Sequence, residues 1–183
     1  MGGISVSSPS LLLLFLFLLS LLSILISRSQ IYGAVEKEKT LAMIKPDGLL
    51  GNYTNKIKNV ILESGFNIVR ETTVHLDVEQ ATLFYAEHSE KKFFQSLVKY
   101  MTSGPVFIMV LEKSDAIAHW RSLIGPTDAR KAKISHPNSI RAICGLDSER
   151  NCVHGSDSPQ SAAREISFFF GDMPPAIVKH DEL

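Results

Sequence analysis

The feature that most restricts the fold is an unbroken apolar run, Val106 to Leu111, that follows Gly104-Pro105. A short apolar run bounded by turn residues is typical of a strand that is buried on both faces of a sheet. A second run, Thr40 to Ile44, is bounded by charge and by Pro46-Asp47-Gly48 and predicts another central strand, which feeds a turn. The chain is therefore expected to fold around a covered sheet.

The rest of the pattern adds further strands and helices. Alternate positions from Phe66 to Leu76 are mostly apolar, apart from Arg70 and Thr72, and predict a third strand. Asn151 to His154 predict a short fourth one. Helical spacing predicts helices capped by Thr54, Asp77, Ser114 and Ser158, a helical turn over 140–144, and a polar, basic connector over 127–138. This order predicts an α+β fold: a ferredoxin-like (split βαβ) sandwich, with an antiparallel sheet covered by helices.

The two ends of the chain have patterns that are typical of targeting signals and not of a folded domain. From Leu11 to Ile26 only Leu, Phe, Ile and Ser occur, and Ser27-Arg28-Ser29 follows, so residues 1–29 are interpreted as a signal peptide, with an uncleaved signal anchor as the alternative. The chain finishes in His180-Asp181-Glu182-Leu183, the tetrapeptide of endoplasmic reticulum retrieval. Together they predict residence in the lumen of that compartment, with membrane contact only if the N-terminal segment stays uncleaved.

Charge and cysteine content exclude some functions and leave others open. Lys plus Arg and Asp plus Glu number 19 each, which gives no electrostatic reason to expect nucleic acid as a partner. In an oxidising lumen Cys144 and Cys152 could form a disulfide, and two buried thiols are the alternative. The sequon Asn52-Tyr53-Thr54 makes glycosylation possible there.

One histidine lies in a setting suited to nucleophilic chemistry. His154 follows Asn151 and precedes Gly155-Ser156-Asp157, and Glu165 in the next predicted helix can bind its second ring nitrogen. Gly155 would leave room for a bulky group such as phosphoryl. Lys45 at a strand end is placed for an anion, although a surface lysine is the plainer interpretation. No His-x-x-x-His or Cys-x-x-Cys spacing supports a protein-bound zinc or haem.

Three segments in order make the chain resemble the nucleoside diphosphate kinases: Lys45-Pro46-Asp47-Gly48, residues 99–105 (KYMTSGP) and residues 151–157 (NCVHGSD). The resemblance implies a kinase domain over 38–172 that moves the γ-phosphate of ATP to nucleoside diphosphates through a phosphohistidine at His154. It implies Mg²⁺ carried by the nucleotide, with no protein side chains as metal ligands, and a possible homo-oligomer. The alternative is a catalytically weak nucleotide-binding or interaction module on the same fold.

The resemblance also assigns roles to single residues. Ser156 and Glu165 would support His154, and Tyr85 would orient its neighbourhood. Lys45 and Asn151 would meet the sugar hydroxyl near the transferred phosphate, while Phe93 would stack on the base. The phosphates would be held by Arg121, Thr127 and Arg141. The connector from Thr127 to Arg141 is longer than is usual in active members, which indicates a divergent subgroup.

The same alignment bears on the cysteines. It places Cys152 on the His154 strand two residues earlier, so strand alternation would point both side chains to one face. A disulfide there would crowd the site. We therefore expect Cys144 and Cys152 to be free thiols.

Overall fold

A computed structural model describes residues 13–23 and 37–171 of the chain. The chain divides into two units, Met1–Glu36 and Lys37–Leu183. Residues 13–23 of the first unit form a helix. Within the described ranges no helix is both long enough and apolar enough to cross a membrane. The cleavage region of the predicted signal peptide and the His180–Leu183 tail lie outside the described residues.

The second unit is built on a four-stranded antiparallel sheet. Its strands are β1 (Glu38–Ile44), β2 (Asn67–Val74), β3 (Val106–Lys113) and β4 (Val153–Gly155), in the spatial order β2-β3-β1-β4. The two apolar runs form the central strands, since β1 and β3 pair side by side from Glu38 opposite Lys113 to Ile44 opposite Phe107. The predicted α+β, ferredoxin-like sandwich is confirmed.

Eight helices of this unit lie between and after the strands in the described residues. They are α1 (Pro46–Leu50), α2 (Thr54–Glu63), α3 (Val78–Phe84), α4 (Phe94–Met101), α5 (Ala116–Ile124), α6 (Ala129–Ser135), α7 (Ile140–Cys144) and α8 (Pro159–Phe170), with a 3₁₀ turn at Ala86–His88. Alternate residues of β1 serve two cores: Leu41 and Met43 pack with α3, α4 and Ile166 of α8, whereas Ala42 and Ile44 pack with α2, α5 and Cys152. Both faces of the sheet are therefore covered, as the apolar runs require.

The predicted helix starts are right in two places and wrong in two. Asp77 and Ser158 each cap a helix through a reciprocal capping box. Each cap side chain accepts the N–H of the third helical residue, whose own side chain accepts the N–H of the cap. Thr54 is the first residue of α2, not its cap. Ser114 is also not a cap: Asp115 holds that position in a left-handed conformation, and the Glu38 carboxylate from β1 accepts the Ile117 N–H instead.

Two segments that were predicted to be irregular are helical. Pro46-Asp47-Gly48 starts the short helix α1 rather than a simple turn, with proline at its first position. The polar stretch 127–138 contains α6, whose first turn is capped by Asp128 through the Arg130 N–H. Ala129 and Ala132 are its buried residues. Two alanines make too small an apolar face to reveal a helix by periodicity.

Candidate functional site

His154 lies in the middle of β4, where the strand pairs with Met43 of β1. Its side chain is on the face of the sheet that carries α3 and α8. The imidazole lies in a T-shaped arrangement with the Phe84 ring, with ring centres 5.5 Å apart, and with the Tyr85 ring at 6.2 Å. These two aromatic rings restrict the plane of the imidazole.

A buried carboxylate fixes which nitrogen of His154 is available. The Nε2 atom lies 2.9 Å from Oε2 of Glu165, a residue of α8 that is only 4 % exposed. Ser156 donates its hydroxyl to the same oxygen at 2.8 Å and accepts the Leu41 N–H at 3.2 Å. A carboxylate only accepts, so Nε2 carries the proton of a neutral imidazole and Nδ1 keeps its lone pair.

Gly155 serves a different purpose from the one expected. A Cβ at this position would lie 2.4 Å from the Trp120 ring, so the absent side chain makes room for the indole and not for a phosphoryl group. Trp120 is fully buried, and its N–H donates to the His154 carbonyl at 3.2 Å. The indole thus contacts the backbone of His154 from the face of the sheet opposite to the imidazole.

Lys45 is a buried cation, contrary to its plainer interpretation as a surface lysine. Its Nζ donates to Oδ1 of Asn151 at 2.8 Å and to the Glu149 carbonyl at 3.3 Å, and the side chain is 6 % exposed. Burial, and next the nearby Arg141 charge, lower the Lys45 pKa to about 8. The charged form of this amine is therefore costly until an anion arrives.

Two arginines add to this positive region. Arg141 donates from its Nη atoms to the carbonyls of Gly125 and Val153 at 2.9 and 3.2 Å. Burial, and next the Arg121 charge, lower its pKa to about 10. Arg121 donates to the Gly155 carbonyl at 3.4 Å. The positive charges of Lys45, Arg121 and Arg141 repel one another, so binding of a polyanion among them is favoured.

Two buried polar atoms at this site have no partner among the described residues: Nε of Arg141 and the Tyr85 hydroxyl. Burial, and next the Glu165 charge, raise the pKa of Tyr85. The phenol consequently keeps its proton and remains a donor. Buried donors without a partner are uncommon in folded proteins.

These groups line one cleft of about 410 Å³. All of the sequence-predicted site residues except Ser156 line it, and Ser156 acts through Glu165. Phe93 is half exposed and lies 5.9 Å from the His88 ring, and the Thr127 carbonyl accepts from Asn151 Nδ2 at 3.0 Å. Sequence reasoning missed these cleft residues: Phe84, Glu87, His88, Leu97, Ser148, Glu149, Asp157 and Arg164.

Asp47 was also missed, although it belongs to a quoted motif. Its Oδ1 accepts the Tyr100 hydroxyl, and its Oδ2 accepts the Cys152 N–H at 3.0 Å. Burial, and next the Asp47 hydrogen bond, raise the Tyr100 pKa. The carboxylate thereby ties the start of α1 to α4 and to the segment before His154. An aspartate after a proline gives no sign in the sequence of this bridging.

The expectation of free thiols is wrong. Cys144 and Cys152 form a disulfide. Strand alternation does not apply to Cys152, because it precedes β4 and has a left-handed backbone with φ of 71°. Its side chain lies in the core with Ile44 and Val153, on the face of the sheet opposite His154. The disulfide therefore does not crowd the site; it closes the loop that carries Glu149 and Asn151.

Within residues 13–23 and 37–171, no group of three or more His, Cys, Asp or Glu side chains lies close enough together to hold a metal ion. The acidic residues of the cleft instead serve neighbours: Glu165 binds His154 and Ser156, and Asp157 accepts the Ser161 hydroxyl at 2.7 Å.

The sequence profile of the family "Nucleoside diphosphate kinase" matches residues 38–174. The chain is 62 % identical over 144 residues to "Probable nucleoside diphosphate kinase 5" of Arabidopsis thaliana, covering 77 % of this chain and 100 % of the relative. It is 43 % identical to "Nucleoside diphosphate kinase homolog 5" of Mus musculus over 77 % of this chain, but spans only 64 % of that relative.

Solved structures agree with this match. A halophilic nucleoside diphosphate kinase from Halobacterium salinarum, in complex with CDP, superimposes with a TM-score of 0.70 at 40 % identity. The likeness covers 75 % of this chain and 90 % of that one.

Proposed function

The chain belongs to the nucleoside diphosphate kinase family, and on that premise we propose that it transfers the γ-phosphate of ATP to nucleoside diphosphates through a phosphohistidine at His154. One observation carries the proposal above all. The histidine is held at Nε2 by a buried carboxylate, and Lys45, Arg121 and Arg141 line the same cleft.

The first half-reaction follows from the free nitrogen. Nδ1 of His154 attacks the γ-phosphorus, a nitrogen–phosphorus bond forms, and the bond to the bridging oxygen breaks with release of a nucleoside diphosphate. The imidazole becomes positively charged as it attacks. Glu165 stabilises that charge through Nε2, and Ser156 keeps the carboxylate oriented.

The cations act on the phosphate oxygens. Charge spreads over these oxygens in the transition state, and Arg121, Arg141 and Lys45 offset it. Arg121, Arg141 and Lys45 all line the cleft, where a polyphosphate would bring compensating negative charge. We propose that Mg²⁺ enters with the nucleotide, on its phosphates, and neutralises part of their charge there.

The base would be held at the outer part of the cleft, and the sugar beside the buried Lys45 and Asn151. Phe93 is 51 % exposed and offers its ring face for stacking. Stacking needs no particular pattern of base edges, so acceptance of several bases is expected. Lys45 and Asn151 already contact each other at 2.8 Å and would share the sugar hydroxyl. A second diphosphate bound in the same way takes the phosphoryl group by the reverse step.

The test uses purified protein with Mg²⁺ and ATP labelled in the γ-phosphate. The expected product is an acid-labile, base-stable phosphoenzyme that loses its label to added nucleoside diphosphate. His154→Ala should abolish both steps, whereas the matched control His75→Ala, an exposed histidine outside the cleft, should keep them. Nucleotide binding without a phosphohistidine would instead support the nucleotide-binding module.

We also propose that the protein resides in the lumen of the endoplasmic reticulum. The apolar run at residues 11–26 and the tetrapeptide His180–Leu183 support this, because one directs entry and the other retrieval. Added protease should leave the domain intact inside sealed microsomes. Digestion without detergent would refute the location. Removal of Leu183 should cause secretion if the N-terminal segment is cleaved.

A further inference from the structure

The turn between α1 and α2 presents a side chain that the proposed kinase reaction does not use. Asn52 lies there with a left-handed backbone, φ of 58°, and is exposed. The turn is held by its backbone: the Asn52 N–H donates to the Leu49 carbonyl and the Tyr53 N–H to the Gly48 carbonyl, both at 3.0 Å. The fold therefore does not depend on the Asn52 carboxamide.

The neighbours of Asn52 divide between the core and solvent. Tyr53 packs against the core around α2, and its ring fills the space beside Gly51, where a Cβ would lie 2.5 Å from it. Leu50 is 76 % exposed. A bulky polar group on Asn52 would thus extend outward from an anchored turn and would cover apolar surface.

The two residues after Asn52 complete a sequon, since Thr54 supplies the required hydroxyl. We propose that Asn52 carries an N-linked oligosaccharide, an inference that rests on the proposed lumenal location. The Asn52 amide nitrogen attacks the anomeric carbon of a lipid-linked oligosaccharide diphosphate. A carbon–nitrogen bond forms, the carbon–oxygen bond to the lipid diphosphate breaks, and the amide proton leaves to a base of the transferase.

A glycan at this position is compatible with catalysis. Asn52 is absent from the residues that line the nucleotide cleft. Lys45 precedes the first residue of α1 and Gly51 follows the last, so the helix separates Lys45 from the modified turn. At about 1.5 Å of rise per residue, five helical residues span roughly 7–8 Å. The oligosaccharide would project from the exposed side of this turn and leave the cleft open.

The experiment is translation of the full chain with microsomes, followed by endoglycosidase. One gel shift is expected for the wild type and for Thr54→Ser, which keeps the sequon. Asn52→Gln and Thr54→Ala should lose it. The glycosylated wild type should form the phosphoenzyme as fast as Asn52→Gln does. A fully active kinase only in the unglycosylated form would contradict the placement of the glycan away from the cleft.

A second variant separates this proposal from the location on which it rests. Glu90→Asn with Lys92→Thr, added to Asn52→Gln, creates a sequon in an exposed turn. A glycan on this reporter but none on the wild type would overturn modification at Asn52 while supporting lumenal entry. No glycan on either would overturn both. Neither result affects the proposed phosphotransfer, which is measured on purified protein.

Discussion

The lowered pKa of Lys45 predicts that nucleotide affinity falls as the pH rises through 8. In the empty cleft the amine loses its proton near pH 8, because burial and Arg141 disfavour its charge. A bound polyphosphate supplies the compensating negative charge and should keep Lys45 protonated. Binding above pH 8 must then include uptake of a proton, which weakens the observed affinity.

The size of the effect follows from the same pKa. If the complex keeps the proton, the dissociation constant rises about tenfold between pH 7 and pH 9, or ~1.4 kcal/mol. At pH 8.5 binding should take up about 0.75 proton per nucleotide. Arg141, with a pKa of about 10, contributes little below pH 9. The terminal phosphate titrates near pH 6, below this window.

Calorimetry measures both quantities. Mg²⁺ and ATP are titrated into His154→Ala, which is expected to bind without transfer, from pH 7 to 9 in buffers with different ionisation enthalpies. The matched variant adds Lys45→Met, whose uncharged side chain should give weaker binding with little pH dependence over this range. An affinity that is constant from pH 7 to 9, or the same slope in the Lys45→Met variant, would refute the reasoning.

Three further predictions concern the support of the site. Ser156→Ala removes a hydrogen bond to the buried Glu165 carboxylate, worth ~1–2 kcal/mol, so single-turnover phosphorylation should slow roughly tenfold with diphosphate affinity unchanged; an unchanged rate would argue against this role. Phe93→Ala should weaken binding of purine and pyrimidine nucleotides alike, by ~1–3 kcal/mol in equilibrium titrations, and Phe93→Tyr should preserve it. Replacing both Cys144 and Cys152 by alanine should lower the free energy of unfolding by about 2–3 kcal/mol; reductant should have this effect on the wild type and none on the variant in denaturant titrations.

The sheet could be predicted because apolar periodicity is a local signal. The runs in β1 and β3 and the alternation in β2 each identify their strand without knowledge of the partner. Capping boxes at Asp77 and Ser158 were equally local. The cap of α5 was not, because its acceptor is Glu38, 79 residues from the Ile117 N–H.

The same difference between local and long-range signals applies to the site. Resemblance in short motifs supplied part of the cleft lining and the support of His154 by Glu165 and Ser156, but not the contacts between distant segments. The contacts of Asp47 with Tyr100 and of Trp120 with the His154 carbonyl join distant segments. The disulfide was mispredicted because a single left-handed residue, Cys152, ends the strand alternation on which the expectation depended. Backbone conformation of this kind leaves no periodic trace.

Trp120 is the only tryptophan in the chain. Its indole is fully buried, and its N–H donates to the carbonyl of the proposed nucleophile. Emission excited at the red edge of the protein band therefore comes from one fluorophore, which contacts the site through a hydrogen bond to the His154 carbonyl. A charged phosphoryl group on His154 would change the electric field at that indole. The chain thus contains its own optical probe, by which each proposed half-reaction should be observable in a stopped-flow instrument without label or coupling enzyme.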